Sequence, residues 1–147
     1  MPSPLPKGGC PELGEACARI GHCPVGSAVI TSAYALPCRY VVHAVGPTWR
    51  GGDHGERELL AATYRHALEL AHNNRCESVA LPTIVAGRGG VPLAEAATIA
   101  VSVVHEALER EAYLDEVLFA CNSAEELAAF TALLDAVERL DDPAALV

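Results

Sequence analysis

The sequence is short of aromatic side chains, of positive charge and of long apolar runs. Aromatic residues make up 5% of the 147 residues, and Lys and Arg together number 10 against 19 Asp and Glu. The net charge of −9 repels polyphosphate backbones, so general DNA or RNA binding is not expected. No apolar run approaches transmembrane length, and no charged region precedes an apolar stretch at the N-terminus. We therefore expect neither a membrane span nor a signal peptide.

The cysteines lack the C-x-x-C spacing of zinc and redox sites. Six cysteines are scattered among apolar neighbours, which is typical of reduced, core-filling cysteine and indicates a cytoplasmic protein. The cluster of Cys17, His22 and Cys23 matches no zinc pattern. We accordingly expect no bound metal and no cofactor.

What the sequence does contain is enough apolar material for one folded domain. Hydrophobic residues make up 51% of the chain and charged residues 20%, which fits a compact globule and argues against disorder. Residues 1–9 hold three prolines and two glycines without periodicity, so they are predicted to be an irregular tail. The domain is expected to cover residues 10–140, and residues 141–147 to fray.

The apolar periodicity alternates between strands and helices. The first two strands are separated by only a few residues, so they are predicted to form an antiparallel hairpin. Buried strands that alternate with helices indicate an α/β fold with three layers, in which helices cover both faces of a mostly parallel mixed sheet. The predicted segments are a helix over Pro11–Ile20, strands over Ser27–Ala35 and Arg39–Gly46, a helix over Gly55–Asn73, a strand over Ser78–Val85, a helix after Pro92, and a strand over Glu116–Cys121.

A last helix follows the fourth strand. Ser123 to Glu126 has the capping-box pattern and starts it. Its apolar positions predict a buried stripe, formed by Leu127, Phe130, Leu134 and Val137.

One stretch stands out as a candidate ligand site. The strand that ends at Val85 leads into Ala86, Gly87, Arg88, Gly89 and Gly90, and Pro92 then opens a helix. Glycines let a ligand approach the backbone N–H groups, and a helix N-terminus favours an anion such as phosphate. The spacing matches neither common phosphate-loop pattern, so a tight connection without a ligand is an equally valid interpretation of the bare motif.

Two other residues allow a functional and a structural interpretation. His43 lies in an apolar strand, where a hydrogen-bonded core histidine is favoured over a general base. Trp49, the sole tryptophan, follows that strand. Packing over the sheet edge is favoured for it over covering a ligand.

Taken together over Gly14 to Ala100, the chain resembles the macro domain family of ADP-ribose-binding α/β modules. The order and spacing of the matching residues hold along most of the chain. The segments that carry the resemblance are Gly21–Gly26, Ile30–Thr31, Leu36–Pro37, Tyr40–Pro47 with Trp49, Glu58–Leu60, Tyr64–Arg65, Ala67–Ala71, Leu81–Pro82, Gly87, Gly90, Pro92, Ala96–Ala97 and Ile99–Val101.

The resemblance implies a pyrophosphate loop at 86–90 and also identifies departures from the family. Family members carry an aromatic residue where this chain has Gly89, and often another beside adenine where it has Asn122. The N-terminal strands, the aspartate that contacts adenine, the Asn-Ala-Ala-Asn segment and the first phosphate loop have no counterpart here. The backbone cradle is expected to survive these changes, and Arg88 is either a phosphate contact or a solvated loop arginine.

The family's strand order predicts a gap in the sheet. One of the strands without a counterpart normally lies between the strand at Ser78–Val85 and the strand at Tyr40–Gly46. These two strands are expected either to pair directly or to leave room for another chain, because unpaired buried backbone groups are costly. A homo-oligomer completed by strand pairing is one such arrangement.

Three functions remain open from the sequence. The first is weak binding of ADP-ribose or a related nucleotide through the glycine loop. The second is hydrolysis of ADP-ribosyl esters such as O-acetyl-ADP-ribose, for which Asp53, His54 and His22 are candidates by residue type alone. The third is a degenerate macro domain with a structural or interaction role and no ligand.

Overall fold

The computed structural model describes residues 10–84, 90–110 and 112–141. Strands and helices alternate along these ranges after an initial helix. The elements are α1 (Pro11–Ile20), β1 (Ser27–Ser32), β2 (Tyr40–Val45), α2 (Glu56–Asn73), β3 (Ser78–Pro82), α3 (Leu93–Arg110), β4 (Glu116–Ala120) and α4 (Ala124–Asp141). The predicted tail at 1–9, most of the predicted frayed end and residues 85–89 lie outside the described residues.

The described strands form two separate pairs. β1 and β2 form an antiparallel hairpin in which Ser27 faces Val45 and Ser32 faces Tyr40. β3 and β4 are parallel, with Ser78 opposite Glu116. The α/β class and the hairpin are therefore confirmed.

Helices α2 and α3 pack on each other and form most of the core. Ala96, Ala97 and Ala100 on α3 have no solvent exposure, and their small side chains allow close helix packing. The cluster continues through Leu60, Tyr64 and Leu68 on α2 and reaches the inner faces of β3 and β4. α2 also contacts both strands of the hairpin and reaches Pro82 of β3 through the Tyr64 hydroxyl, so it joins the two strand pairs.

Two predicted features differ from the structure in extent. β1 ends at Ser32 instead of Ala35, because Tyr34 takes a left-handed backbone conformation with φ +53° in the turn before β2. In α4 only Phe130 is fully buried, whereas Leu127 is 59% exposed and Leu134 40% exposed. The described part of the chain covers only a narrow strip of that helix, so the predicted stripe is too wide.

A gap separates β2 from β3. Within the described ranges β2 pairs only with β1, and β3 pairs only with β4. The two strands have thus not closed up onto each other, which was one of the two predicted arrangements. The other arrangement, with a further chain in the gap, stays a prediction.

A helix that crosses a membrane must be both long and apolar, and the described helices were compared with both requirements. Among the helices that the structure describes, none is both long enough and apolar enough to cross a membrane.

Replacing Phe130 tests the core. Its ring is 2% exposed and stacks on Phe119 with 4.6 Å between ring centroids. Phe130→Ala should lower the free energy of unfolding by about 3–5 kcal/mol, since it leaves a cavity under β4. Leu127→Ala on the same helix should change it by less than about 0.5 kcal/mol, because Leu127 is exposed. Urea unfolding followed by circular dichroism measures both, and equal losses would contradict the packing described.

Candidate functional site

The candidate site is the region around the glycine loop, where the chain leaves β3 and enters α3. Residues 85–89 of that loop lie outside the described residues, so the site is known through the segments that border it. Three such segments are described: the loop between β2 and α2, the end of β3, and the turn between β4 and α4.

The loop between β2 and α2 is organised by a buried carboxylate. Glu56 is 2% exposed and accepts hydrogen bonds from the backbone N–H groups of Arg50 at 2.7 Å, Gly52 at 3.2 Å and His54 at 2.7 Å. Burial alone would raise the pKa of Glu56, but the backbone hydrogen bonds outweigh it and lower the pKa to about 2. The carboxylate is therefore ionised at neutral pH and holds the loop in one conformation.

The same loop is tied to the start of α3. Arg57 lies over the Trp49 ring, 5.3 Å from its centroid, and its Nε donates to Glu95 of α3 at 2.6 Å. This hydrogen bond to Glu95 raises the pKa of Arg57. Gly52 lies against the side chains of Arg57 and Trp49. Its φ is +93°, and a Cβ there would lie 2.8 Å from both side chains, so glycine suits this position. Trp49 thus packs against the protein, as the sequence favoured.

The end of β3 is fixed by a buried phenol. The Tyr64 hydroxyl donates to the Pro82 carbonyl at 3.3 Å and accepts from the Ile84 N–H at 3.0 Å. Tyr64 has no solvent exposure, and burial raises its pKa to about 12, so the hydroxyl stays protonated. The chain therefore leaves β3 towards the glycine loop in a fixed direction.

A second carboxylate joins the ends of β3 and β4. Glu126 accepts from the Thr83 hydroxyl at 3.3 Å and from the Asn122 N–H at 2.8 Å. Its own N–H donates to the Ser123 hydroxyl at 3.1 Å, which is the serine half of the predicted capping box, whereas its carboxylate binds the N–H of Asn122, one residue before the cap. Asn122 is exposed beside this junction.

Ala86, Gly87, Arg88 and Gly89 lie outside the described residues. Gly90 is described, and it is followed by Val91, which is 2% exposed and belongs to the core. The first helical hydrogen bond of α3 runs from the Ala96 N–H to the Pro92 carbonyl, so the helix begins directly after the loop.

His43 is a partly buried strand residue with a neighbouring hydroxyl. It is hydrogen-bonded to Thr31 at 2.9 Å, and burial lowers its pKa. The Cys17 sulfur lies 3.8 Å from both ring nitrogens, which is not the directed contact of a thiol–imidazole pair. The predicted role as a hydrogen-bonded core histidine fits these contacts.

The three candidates for hydrolysis are exposed and dispersed. Asp53 and His54 lie on the loop before α2, and His22 lies at the end of α1. Over 10–84, 90–110 and 112–141, no hydrogen bond or ion pair is found between any two of them. In the same ranges no group of three or more His, Cys, Asp or Glu side chains is arranged to hold a metal.

Glu56 and Tyr64 border the candidate site, yet only weak signals in the sequence point to their roles. Tyr64 lies between Leu60 and Leu68 on the apolar stripe of α2, and a buried phenol needs a hydrogen-bond partner. Glu56 directly follows Gly55 in the first helical turn, where an acidic residue is common. Neither pattern identifies the backbone groups that these side chains hold.

The fold is that of an α/β protein with a candidate loop site next to a helix N-terminus, and the comparisons with known proteins assign its family. The model of the macro domain family matches residues 5–100, which is more than half of the chain. The chain therefore belongs to the macro domain family.

Curated relatives agree with this assignment. A macro domain-containing protein of Chlorobaculum tepidum is 46% identical over 80% of this chain and 68% of its own length. One from Methanosarcina mazei is 46% identical over 76% of this chain and 59% of its own length. The O-acetyl-ADP-ribose deacetylase of Citrobacter rodentium is 44% identical over 84% of this chain and 72% of its own length. The chain thus spans roughly three-fifths to three-quarters of these relatives.

Solved structures give the same result. The macrodomain of Oceanobacillus iheyensis with ADP superposes with a TM-score of 0.80 at 31% identity, covering 88% of this chain and 71% of its own. The macrodomain of Trypanosoma brucei in complex with ADP-ribose gives a TM-score of 0.77 at 32% identity, covering 86% of this chain and 53% of its own.

Glu56→Gln tests the carboxylate that holds the loop. The folded pKa of about 2 lies below the ordinary value of 4.5, so the ionised carboxylate stabilises the fold above pH 4.5, and this contribution is lost as the pH falls towards 2. Glu56→Gln should therefore have a lower urea midpoint than the wild type at pH 7. The difference between the two midpoints should shrink as the pH is lowered. A difference that stays constant from pH 7 to the acid limit of folding would refute the assignment.

Tyr64→Phe tests the hydroxyl that fixes the end of β3. The variant leaves the partly buried Ile84 N–H without its acceptor, so the free energy of unfolding should fall by about 1–3 kcal/mol. Tyr34→Phe is the matched control. Because Tyr34 is 44% exposed, this substitution should lower the free energy of unfolding by less than about 0.5 kcal/mol. Chemical denaturation measures both, and a neutral Tyr64→Phe would show that the hydroxyl does not hold this strand end.

Proposed function

We propose that the chain binds ADP-ribose or a related ADP-ribosyl metabolite, with the pyrophosphate held at Ala86, Gly87, Arg88, Gly89 and Gly90. The observation that carries the proposal is the family match over residues 5–100, which includes this loop. Related macrodomains of known structure hold ADP or ADP-ribose. The ligand class is assigned to this chain on that basis.

The bordering contacts support a preformed site. Tyr64 fixes the chain that enters the loop, Glu126 joins the ends of β3 and β4, and the Arg57–Glu95 pair holds the helix that leaves the loop. Such rigid supports lower the ordering cost of ligand binding. They also direct the first turn of α3 towards the loop, where its free N–H groups favour an anion.

Charge makes the backbone the main source of attraction. The net charge of −9 opposes an anionic ligand, and the guanidinium of Arg57 is already paired with Glu95. The pyrophosphate must therefore bind through loop N–H groups, helped by Arg88. Gly89 and Asn122 provide no aromatic face for ribose or adenine, so binding is expected to be weak.

A second candidate is hydrolysis of ADP-ribosyl esters, which the name of the Citrobacter rodentium relative favours. Such a reaction needs a positioned water and a group that orients it. Asp53, His54 and His22 are exposed and form no such arrangement with one another in the described ranges. Any catalysis by this chain is therefore proposed to be impaired, unless a further segment completes the site.

Thermal stability with ADP-ribose tests the binding proposal. At a ligand concentration ten times Kd, the wild type should gain about 1.4 kcal/mol of stability, because only the folded state binds. Gly87→Val should abolish this gain, since a side chain blocks approach to the loop backbone. Ala128→Val on the exposed face of α4 should keep it.

Two further results separate the alternatives. No heat of binding in calorimetry with millimolar ADP-ribose would refute the proposal and favour a degenerate domain with an interaction role. Release of acetate from O-acetyl-ADP-ribose by the wild type, with loss of this activity in Gly87→Val, would favour the hydrolase.

A further inference from the structure

The first turn of α3 carries a carboxylate at the end of the helix that follows the glycine loop. This carboxylate belongs to Glu95, the third residue of α3. The first N–H groups of a helix have no partner within the helix, and a glutamate in the first turn can fold back to bind such groups. The helix dipole adds to the attraction. A carboxylate in that position would compete with an anionic ligand for the same N–H groups.

In the structure the Glu95 carboxylate is turned away from its own helix. It reaches α2, where it accepts a hydrogen bond from Nε of Arg57 at 2.6 Å. Within 10–84, 90–110 and 112–141, no N–H group of α3 donates to it, and its ion pair with Arg57 has no competitor. Arg57 therefore determines where this negative charge lies.

Arg57 is itself held in place by further contacts. Its Nη1 donates to the Gly52 carbonyl at 2.8 Å, and its guanidinium lies 5.3 Å from the centroid of the Trp49 ring. The hydrogen bond to Glu95 raises the pKa of Arg57, so the guanidinium stays charged. Contacts of three kinds thus fix the guanidinium, and the guanidinium fixes the carboxylate of Glu95.

The start of α2 shows the opposite arrangement. Glu56 lies in the first turn of α2 and accepts three N–H groups from the loop that precedes its helix. The backbone donors before α2 are therefore filled by a carboxylate of the protein. Glu95 occupies a similar place in α3, yet it binds a guanidinium instead of backbone donors. The neighbouring residues Glu56 and Arg57 thus fill one set of donors and keep a carboxylate off the other.

We propose that Arg57 is a positioning residue for the pyrophosphate site, because it holds the Glu95 carboxylate away from the first turn of α3 and neutralises its charge. This inference rests on the proposed function, which puts the pyrophosphate beside that turn. It also gives the two partners effects of opposite sign. Loss of Arg57 makes Glu95 a competitor of the ligand, whereas loss of the charge on Glu95 does not harm binding.

The affinities of the full chain and its variants for ADP-ribose test the proposal by calorimetry. Arg57→Gln should bind roughly fivefold more weakly, because it leaves an unpaired negative charge at a helix N-terminus. Glu95→Gln should bind at least as tightly as the wild type, since the glutamine oxygen still accepts the hydrogen bond from Arg57 but carries no charge. The variant with both substitutions should recover to within about twofold of the wild type.

Arg110→Gln is the matched control. It breaks another Arg–Glu pair of α3, in which Arg110 donates to Glu106 at 3.0 Å near the far end of the helix, and it should leave the affinity unchanged. A pair that acted only as a structural tie would give weaker binding in both single variants and no recovery in the double variant, which would overturn the proposal. If Arg57→Gln does not fold, Glu95→Gln decides alone: weaker binding contradicts the proposal, and equal or tighter binding supports it.

Amide proton shifts test the restraint of Glu95 without any ligand. The amides of Leu93, Ala94 and Glu95 are followed by NMR as the pH falls through the carboxylate range, roughly pH 5 to 3. In Arg57→Gln these amides should titrate with the Glu95 carboxylate, and adding Glu95→Gln should abolish the titration. In the wild type they should not titrate in this way.

The two measurements separate the inference from the proposed function. Equal titration of these amides in the wild type and in Arg57→Gln would overturn the role of Arg57, even if ADP-ribose binds. Absence of ADP-ribose binding by the wild type, together with the expected titration, would refute the proposed function and still support the restraint of Glu95 by Arg57.

Discussion

The buried face of α2 is the constraint on which the rest of the structure depends. The two strand pairs share no described backbone ladder, so side-chain packing must hold them together. α2 contacts both strands of the hairpin, packs on α3 and reaches the end of β3 through the Tyr64 hydroxyl. An ordinary sheet obtains this continuity from backbone hydrogen bonds, whereas within the described ranges a helix supplies it.

The same helix also carries the supports of the candidate site. Its first turn holds Glu56, which fixes the preceding loop, and Arg57, which reaches Glu95 at the start of α3. Two turns further on, Tyr64 fixes the chain that enters the glycine loop. The hairpin, the end of β3 and the start of α3 are thus all contacted by one element.

The sequence was sufficient for the elements and for the family. Apolar periodicity located every described helix and strand, and the short separation between β1 and β2 predicted their hairpin. Single side chains with long-range partners were harder to interpret. Glu56 binds three backbone N–H groups before it in the chain, and Tyr64 binds a strand some 18 residues away, so neither role follows from local pattern. The stripe on α4 failed for a related reason: periodicity shows which side of a helix is apolar, but not how much of it the chain covers.

The central claim is that β2 and β3 do not pair with each other in the free chain. Cross-strand proton contacts measure this most directly. NOE spectra of the free chain at low concentration should show Hα and amide contacts within β1–β2 and within β3–β4, following the pairing of Ala28 with Ala44 and of Ala80 with Leu118. No cross-strand contact should join β2 to β3. Regular contacts between Val42 and Ala80 would show that the strands have closed onto each other, and this would contradict the role given to α2.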